Sequence, residues 1–161
     1  MARRLVWAGV NLVQVNLGKN SSWDTHVRNF PSLKDHLLPY MDQSISALIE
    51  DLAQSGLLDS TLVVVTGEFG RTPHVKQKDG RDHNGTAYSM WLAGGGVKGG
   101  QRYGQSDAFG IQVAENKGTP PDLHEPLLPA LGPPPAPPTP RFWPRAPPPA
   151  WVRRPRRRSS R

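Results

Sequence analysis

The carboxyl-terminal stretch of the chain, residues 133–161, limits the fold more than any other feature of the sequence. It holds 11 of the 18 prolines in the 161-residue chain. Proline lacks a backbone N–H and fixes φ, so it is excluded from helix interiors and central strands. We therefore predict a folded domain over residues 1–132 and a disordered Pro/Arg-rich tail over 133–161. The tail is either a genuine basic extension or the product of a shifted reading frame.

The net charge of +7 is concentrated in the same tail. Residues 1–132 hold 12 Lys and Arg against 13 Asp and Glu, a net of −1, whereas residues 133–161 hold eight Arg and no acid. The nearly neutral domain argues against a folded reader of nucleic acid, and attachment of the arginines to an anionic polymer stays an alternative. No apolar run reaches the roughly 20 residues of a membrane span. Neither the localisation nor the oligomeric state can be read from the sequence, and no export signal is recognised.

Hydrophobic periodicity in the domain predicts alternating helices and strands. A helix is predicted over residues 2–8, and apolar runs predict strands over 12–17, 61–66 and 88–93. Between the first two strands lies a longer helix that ends at Gly56. Its apolar face comprises Met41, Ile45, Leu48, Ile49 and Leu52. The order strand, helix, strand predicts a right-handed crossover and a parallel sheet, so the fold class is α/β.

Ionisable side chains follow the first two predicted strands. The segment GEFGRTPHVKQKDGRDHNG (67–85) comes directly after one strand, and SWDTHVRNF (22–30) follows the other. Because the carboxyl ends of parallel strands meet at one edge of a sheet, we expect these side chains to converge. Carboxylates and imidazoles without thiolates suit zinc, manganese, calcium or magnesium. The candidate metal ligands are Asp24, His26, Glu68 and His83.

Arg71 is the candidate catalytic residue, because a guanidinium can hold an oxyanion in bidentate fashion. We expect Asp82 to lie with it at the rim of the metal cluster. Each motif also has a simpler interpretation. The Asp-Thr-His motif could line a turn, the Gly-Arg-Asp-His motif could be an ion-paired surface loop, and Arg71 could merely neutralise Glu68. A further Asp-x-His pair is present at Asp122 and His124.

Several motifs, taken in order, resemble a known family. WDTH, LLPYMDQSISALIEDLAQSGLLDSTLVVVTGEFGRTP, GRDHN and WLAGGGVKGGQRYGQSD are similar, over about residues 2–132, to the carboxyl-terminal half of a bacterial sulfatase-like family. This family is domain of unknown function 1501, in the alkaline phosphatase superfamily. The resemblance implies a partial alkaline-phosphatase-like sheet flanked by helices, and a divalent-metal site for hydrolysis of phosphate or sulfate esters. By position, Asp24 and His26 resemble mid-chain ligands, Glu68 the acidic half of an acid–His pair, and His83 the late His ligand.

The sequence also departs from the superfamily pattern. Phe69, rather than His, follows Glu68, which puts a two-metal site in doubt. The superfamily's first metal-binding Asp and its nucleophile lie on earlier strands and have no counterpart here. The resemblance thus implies a fragment truncated at its amino terminus and inactive alone, so that enzyme activity stays open. The alternative is a non-catalytic metal-binding or interaction module. Full-length relatives are expected to be exported.

Overall fold

The computed structural model describes residues 1–130. The helices are α1 (Ala2–Trp7), α2 (Asn29–Ser32), α3 (Leu38–Gln54) and α4 (Pro120–Ala130). The strands are β1 (Leu62–Thr66), β2 (Gly70–Arg71), β3 (His83–Asn84), β4 (Met90–Gly94), β5 (Gln105–Ser106) and β6 (Val113–Glu115). The predicted mixed α/β class is confirmed. The alkaline-phosphatase-like sheet and the domain boundary at residue 132 stay predictions, and the predicted tail lies outside the described residues.

The longest helix is α3, and its apolar face is its less exposed side, as its periodicity predicts. Leu52 on this face is only 1% exposed and is the one fully buried hydrophobic side chain in residues 1–124. A π-helical turn, Leu33–Leu37, joins α2 to α3, and the Leu38 N–H donates to the Leu33 carbonyl across it. The helix is followed by Gly56 at φ +70°, a left-handed conformation that glycine adopts without strain. No helix within residues 1–130 is long and apolar enough to cross a bilayer.

The strands pair in antiparallel fashion, so the predicted parallel sheet is wrong. β1 pairs with β4, with Leu62 opposite Gly94 and Thr66 opposite Met90. β2 pairs with β3 and β5 with β6, both also antiparallel. The segment between β1 and β4 folds into the short β2–β3 ladder and forms no crossover helix. The chain therefore returns beside β1 in the opposite direction, whereas parallel neighbours need a crossover connection.

The predicted first strand, residues 12–17, does not form among the described residues. The segment belongs to no ladder. Its apolar side chains stay largely in solvent, with Leu12 76% and Val15 57% exposed. It lines an open cleft of about 2570 Å³ that β1 and α3 also line. Apolar alternation alone does not make a strand here, because a strand also needs a neighbour to satisfy its backbone.

Candidate metal centre

The β2–β3 ladder carries the first half of the candidate site. Its antiparallel register places Arg71 opposite His83 and Gly70 opposite Asn84. A Cβ on Gly70 would lie 2.0 Å from the carbonyl oxygen of Ala87, so the close approach of backbone at this point requires glycine. The ladder therefore fixes a guanidinium and an imidazole side by side.

The second half of the site comes from the loop that precedes α2. Two backbone hydrogen bonds tie this loop to the segment before β3: Arg81 N–H donates to the Thr25 carbonyl at 3.1 Å, and Arg28 N–H donates to the Lys78 carbonyl at 2.8 Å. Between these bonds Gly80 is buried against the carbonyl of His26. The loop that carries Asp24 and His26 is thus bonded to the segment that leads directly into the strand with His83.

Asp24, His26 and His83 form a compact cluster, which we call the metal cluster. The carboxylate atom Oδ1 of Asp24 lies 2.8 Å from His83 Nε2 and 3.1 Å from His26 Nε2. One ligand atom from each of the three residues lies within 4.8 Å of the others, so the group could hold a metal ion. The donor set of one carboxylate oxygen and two imidazole nitrogens fits zinc or manganese. The three side chains are 32%, 46% and 48% exposed in that order, so the cluster is open to ligands from solvent.

Neighbouring hydrogen-bond donors and basic side chains keep both carboxylates of the site ionised. The contact with His83, followed by that with the Arg71 guanidinium, lowers the pKa of Asp24 to about 2. The ammonium of Lys76, which pairs with Asp82, is the main cause that lowers the pKa of that carboxyl below its usual range. Ionised carboxylates are the form that binds a divalent cation.

The aromatic ring of Phe69 supports the cluster from one side. Its centroid lies 4.2 Å from that of His83, with an interplanar angle of 32°. The His83 ring in turn lies 5.0 Å from the His26 ring, tilted by 40°. Phe69 is the residue at which the sequence departs from the superfamily pattern, and in the fold it packs against a candidate ligand.

Arg71 lies in direct contact with the metal cluster. Its Nη1 atom is 2.6 Å from Asp24 Oδ1, and its Nη2 atom donates to the Trp23 carbonyl at 3.1 Å. Nη1 is buried and lies against the carboxylate, so the guanidinium and Asp24 form a close ion pair. Arg71 therefore pairs with Asp24, and the simpler interpretation that it neutralises Glu68 is not what the fold gives.

The remaining sequence candidates do not belong to the metal cluster. Glu68 is exposed in the turn between β1 and β2 and lines the same cleft as Asp24, but it does not belong to the group of converging ligand atoms. Its role as a ligand stays a prediction. Asp122 instead accepts hydrogen bonds from the backbone N–H and hydroxyl of Thr119 at 2.7 and 2.6 Å, which caps the start of α4. His124 is exposed on the same helix.

The residues that hold the site together could hardly be identified from the sequence. The Thr72 hydroxyl accepts a hydrogen bond from the Asp82 N–H, and the Thr72 N–H donates to the Asp82 carbonyl. The buried Asn84 donates to the Ile111 carbonyl at 2.8 Å. Lys76 pairs with Asp82. Their nearness to the charged motifs was the one available signal, since each contact depends on how the loops fold.

Comparison with known proteins identifies the family. The profile described as "Protein of unknown function (DUF1501)" matches residues 1–142, ten residues past the domain boundary that the sequence predicts. No curated protein and no solved structure matches the chain. Because the match covers most of the 161 residues, the chain belongs to the DUF1501 family of proteins of unknown function.

Proposed function

We propose that the metal cluster binds a divalent ion and serves the hydrolysis of phosphate or sulfate esters, as in sulfatase-like members of the alkaline phosphatase superfamily. One observation carries the proposal. A carboxylate and two imidazoles converge within 4.8 Å, and the guanidinium of Arg71 lies beside them. Three ligands that leave a coordination position open are typical of catalytic rather than structural zinc sites.

Each residue of the site has a distinct role in this proposal. Asp24, His26 and His83 would hold the ion, which would supply Lewis acidity toward a phosphoryl or sulfuryl oxygen. Arg71 places a positive charge beside the ion, where it would attract an anionic oxygen of the ester. The cleft beside the cluster, which both Asp24 and Arg71 line, admits the ester group.

The hydroxyl groups near the site limit the expected turnover. The hydroxyls of Ser22, Thr66 and Thr72 donate to backbone carbonyls, and that of Thr25 donates to Asn29. A nucleophilic hydroxyl is usually activated by an adjacent base, whereas each of these hydroxyls donates to a carbonyl or amide oxygen. We therefore expect anion and metal binding with no more than trace turnover by this chain alone. A non-catalytic metal-binding module is the second candidate, favoured by the same engaged hydroxyls.

Metal titration by calorimetry tests the first step. We expect one zinc or manganese ion to bind per chain, with binding lost in His83→Ala and in His26→Ala. The matched control is His36→Ala, which removes an exposed imidazole from the π-helical turn outside the metal cluster. Loss of binding in the control, or its retention in His83→Ala, would refute the assignment.

Anion binding and turnover distinguish the two candidates. Inorganic phosphate should bind the zinc-loaded chain and lose affinity in Arg71→Gln, which removes the guanidinium. A phosphate or sulfate monoester with a chromogenic leaving group then measures turnover. Metal binding without phosphate binding would favour the non-catalytic module, whereas rapid turnover abolished by His83→Ala would contradict our expectation about the hydroxyls.

A further inference from the structure

We propose that Asp82 is a positioning residue of the metal centre: it accepts the hydrogen on Nδ1 of His26 and so leaves Nε2 of that ring free to bind the ion. The inference rests on the proposed function, because it concerns the orientation of one proposed ligand. Asp82 is not one of the three residues whose ligand atoms converge, and the inference gives its carboxylate a role.

The two nitrogens of the His26 ring face different carboxylates. Nε2 lies 3.1 Å from Asp24 Oδ1, the same oxygen that His83 Nε2 approaches to 2.8 Å. Nδ1 lies 3.2 Å from Oδ1 of Asp82. The proposed ligand atoms therefore converge on the Nε2 side of the ring, and Asp82 lies on the other side.

The chemistry of imidazole decides how these contacts are used. A neutral imidazole carries one ring hydrogen, so His26 donates to only one of its two carboxylate partners. When Nε2 gives its lone pair to a metal ion, the hydrogen resides on Nδ1, where Asp82 is the acceptor within reach. A carboxylate in this place fixes both the tautomer and the direction of the ring.

Asp82 is itself held firmly for this role. Its backbone N–H donates to the Thr72 hydroxyl at 3.1 Å, and its carbonyl accepts from the Thr72 N–H at 2.9 Å. Its second carboxylate oxygen, Oδ2, pairs with the ammonium of Lys76, so that Oδ1 is directed at His26. The side chain is 28% exposed, less than either histidine of the metal cluster.

The test uses the full chain, metal-free and zinc-loaded, in the variants Asp82→Ala and Asp82→Asn. The matched control is Asp79→Asn, since Asp79 is exposed and its backbone φ of +57° is one that Asn tolerates. Zinc affinity is measured by competition with a chromophoric chelator. The tautomer of His26 is measured from long-range correlations between carbon-bound hydrogens and ring nitrogens, assigned with His26→Gln.

We expect Asp82→Ala to weaken zinc binding by about 10- to 100-fold, the usual effect of removing an orienting partner. Asp82→Asn should lose less, because its amide oxygen still accepts the Nδ1 hydrogen. Asp79→Asn should stay within about twofold of the native affinity. In the metal-free native chain the His26 spectrum should contain the form protonated on Nδ1, and Asp82→Ala should reduce it.

Two results would overturn the inference. One is an unchanged His26 tautomer in Asp82→Ala, even with weaker zinc binding, because Asp82 would then act only on the structure. The other is a zinc-loaded chain in which His26 is protonated on Nε2. Failure of the native chain to bind zinc would refute the proposed function instead, and the metal-free spectra would still decide whether Asp82 sets the tautomer.

Discussion

Replacement of Gly80 by alanine tests whether the two halves of the site depend on one backbone contact. Gly80 has φ −84° and ψ 170°, a conformation that alanine adopts freely. Any effect of Gly80→Ala must therefore come from the added methyl group. That Cβ would lie 1.7 Å from the carbonyl oxygen of His26 and 2.2 Å from its carbonyl carbon.

The size of the effect follows from these distances. Real Cβ atoms essentially never come closer than 3.0 Å to a non-bonded heavy atom. The His26 carbonyl must therefore move by about 1.3 Å if the segment that contains Gly80 stays in place. Metal–ligand bonds tolerate only about 0.2 Å of error around their preferred length of about 2 Å. The displaced His26 can no longer share an ion with His83, and we expect zinc affinity to fall more than about 10-fold, the least that loss of an orienting partner costs.

Chelator competition measures this change, and circular dichroism verifies that the variant is folded. The matched control is Gly85→Ala, because Gly85 lies two residues after His83 and a Cβ there would meet no atom within 4 Å. The control should bind zinc within about twofold of the native chain. A folded Gly80→Ala chain with native zinc affinity would refute the view that this contact sets the distance between His26 and His83.

Three further predictions concern the scaffold. Leu52→Ala, at the 1% exposed position of α3, should lower the free energy of unfolding by about 2–5 kcal/mol in urea titration, against almost no change for the exposed Ala53→Ser. Gly56→Ala should lower the free energy of unfolding by about 1 kcal/mol, because alanine is strained at φ +70° although its Cβ would meet no atom within 4 Å. An unchanged urea midpoint would contradict the left-handed turn. Hydrogen bonds from backbone N–H groups, above all that of Ile111, lower the pKa of Asp107 in the folded chain below its usual 3.8. The ionised carboxylate therefore stabilises the fold above pH 3.8, and this stabilisation is lost as the pH falls through the lower pKa of the folded state. In Asp107→Asn the free energy of unfolding should fall less steeply with acid than in the native chain.

Local features of this protein could be predicted from the sequence alone. The continuous run at β1, the apolar face of α3 and the stop at Gly56 depend on neighbours within a few residues, so periodicity and backbone preference were sufficient. Clustering of Asp24, His26 and His83 was also expected, although from motif position and a parallel sheet that the fold does not contain. That expectation covered four residues, and the fold brings Asp24, His26 and His83 together without Glu68 and without the parallel sheet.

Long-range contacts were decided only by the tertiary structure. His26 meets Asp82 across 56 residues of sequence, and Arg71 meets Asp24 rather than its near neighbour Glu68. Strand direction was likewise undetermined, because an apolar run has the same pattern in parallel and antiparallel ladders. Which carboxylate orients an imidazole depends on distances of a few tenths of an ångström between separate loops, and residue spacing along the chain carries no information about them.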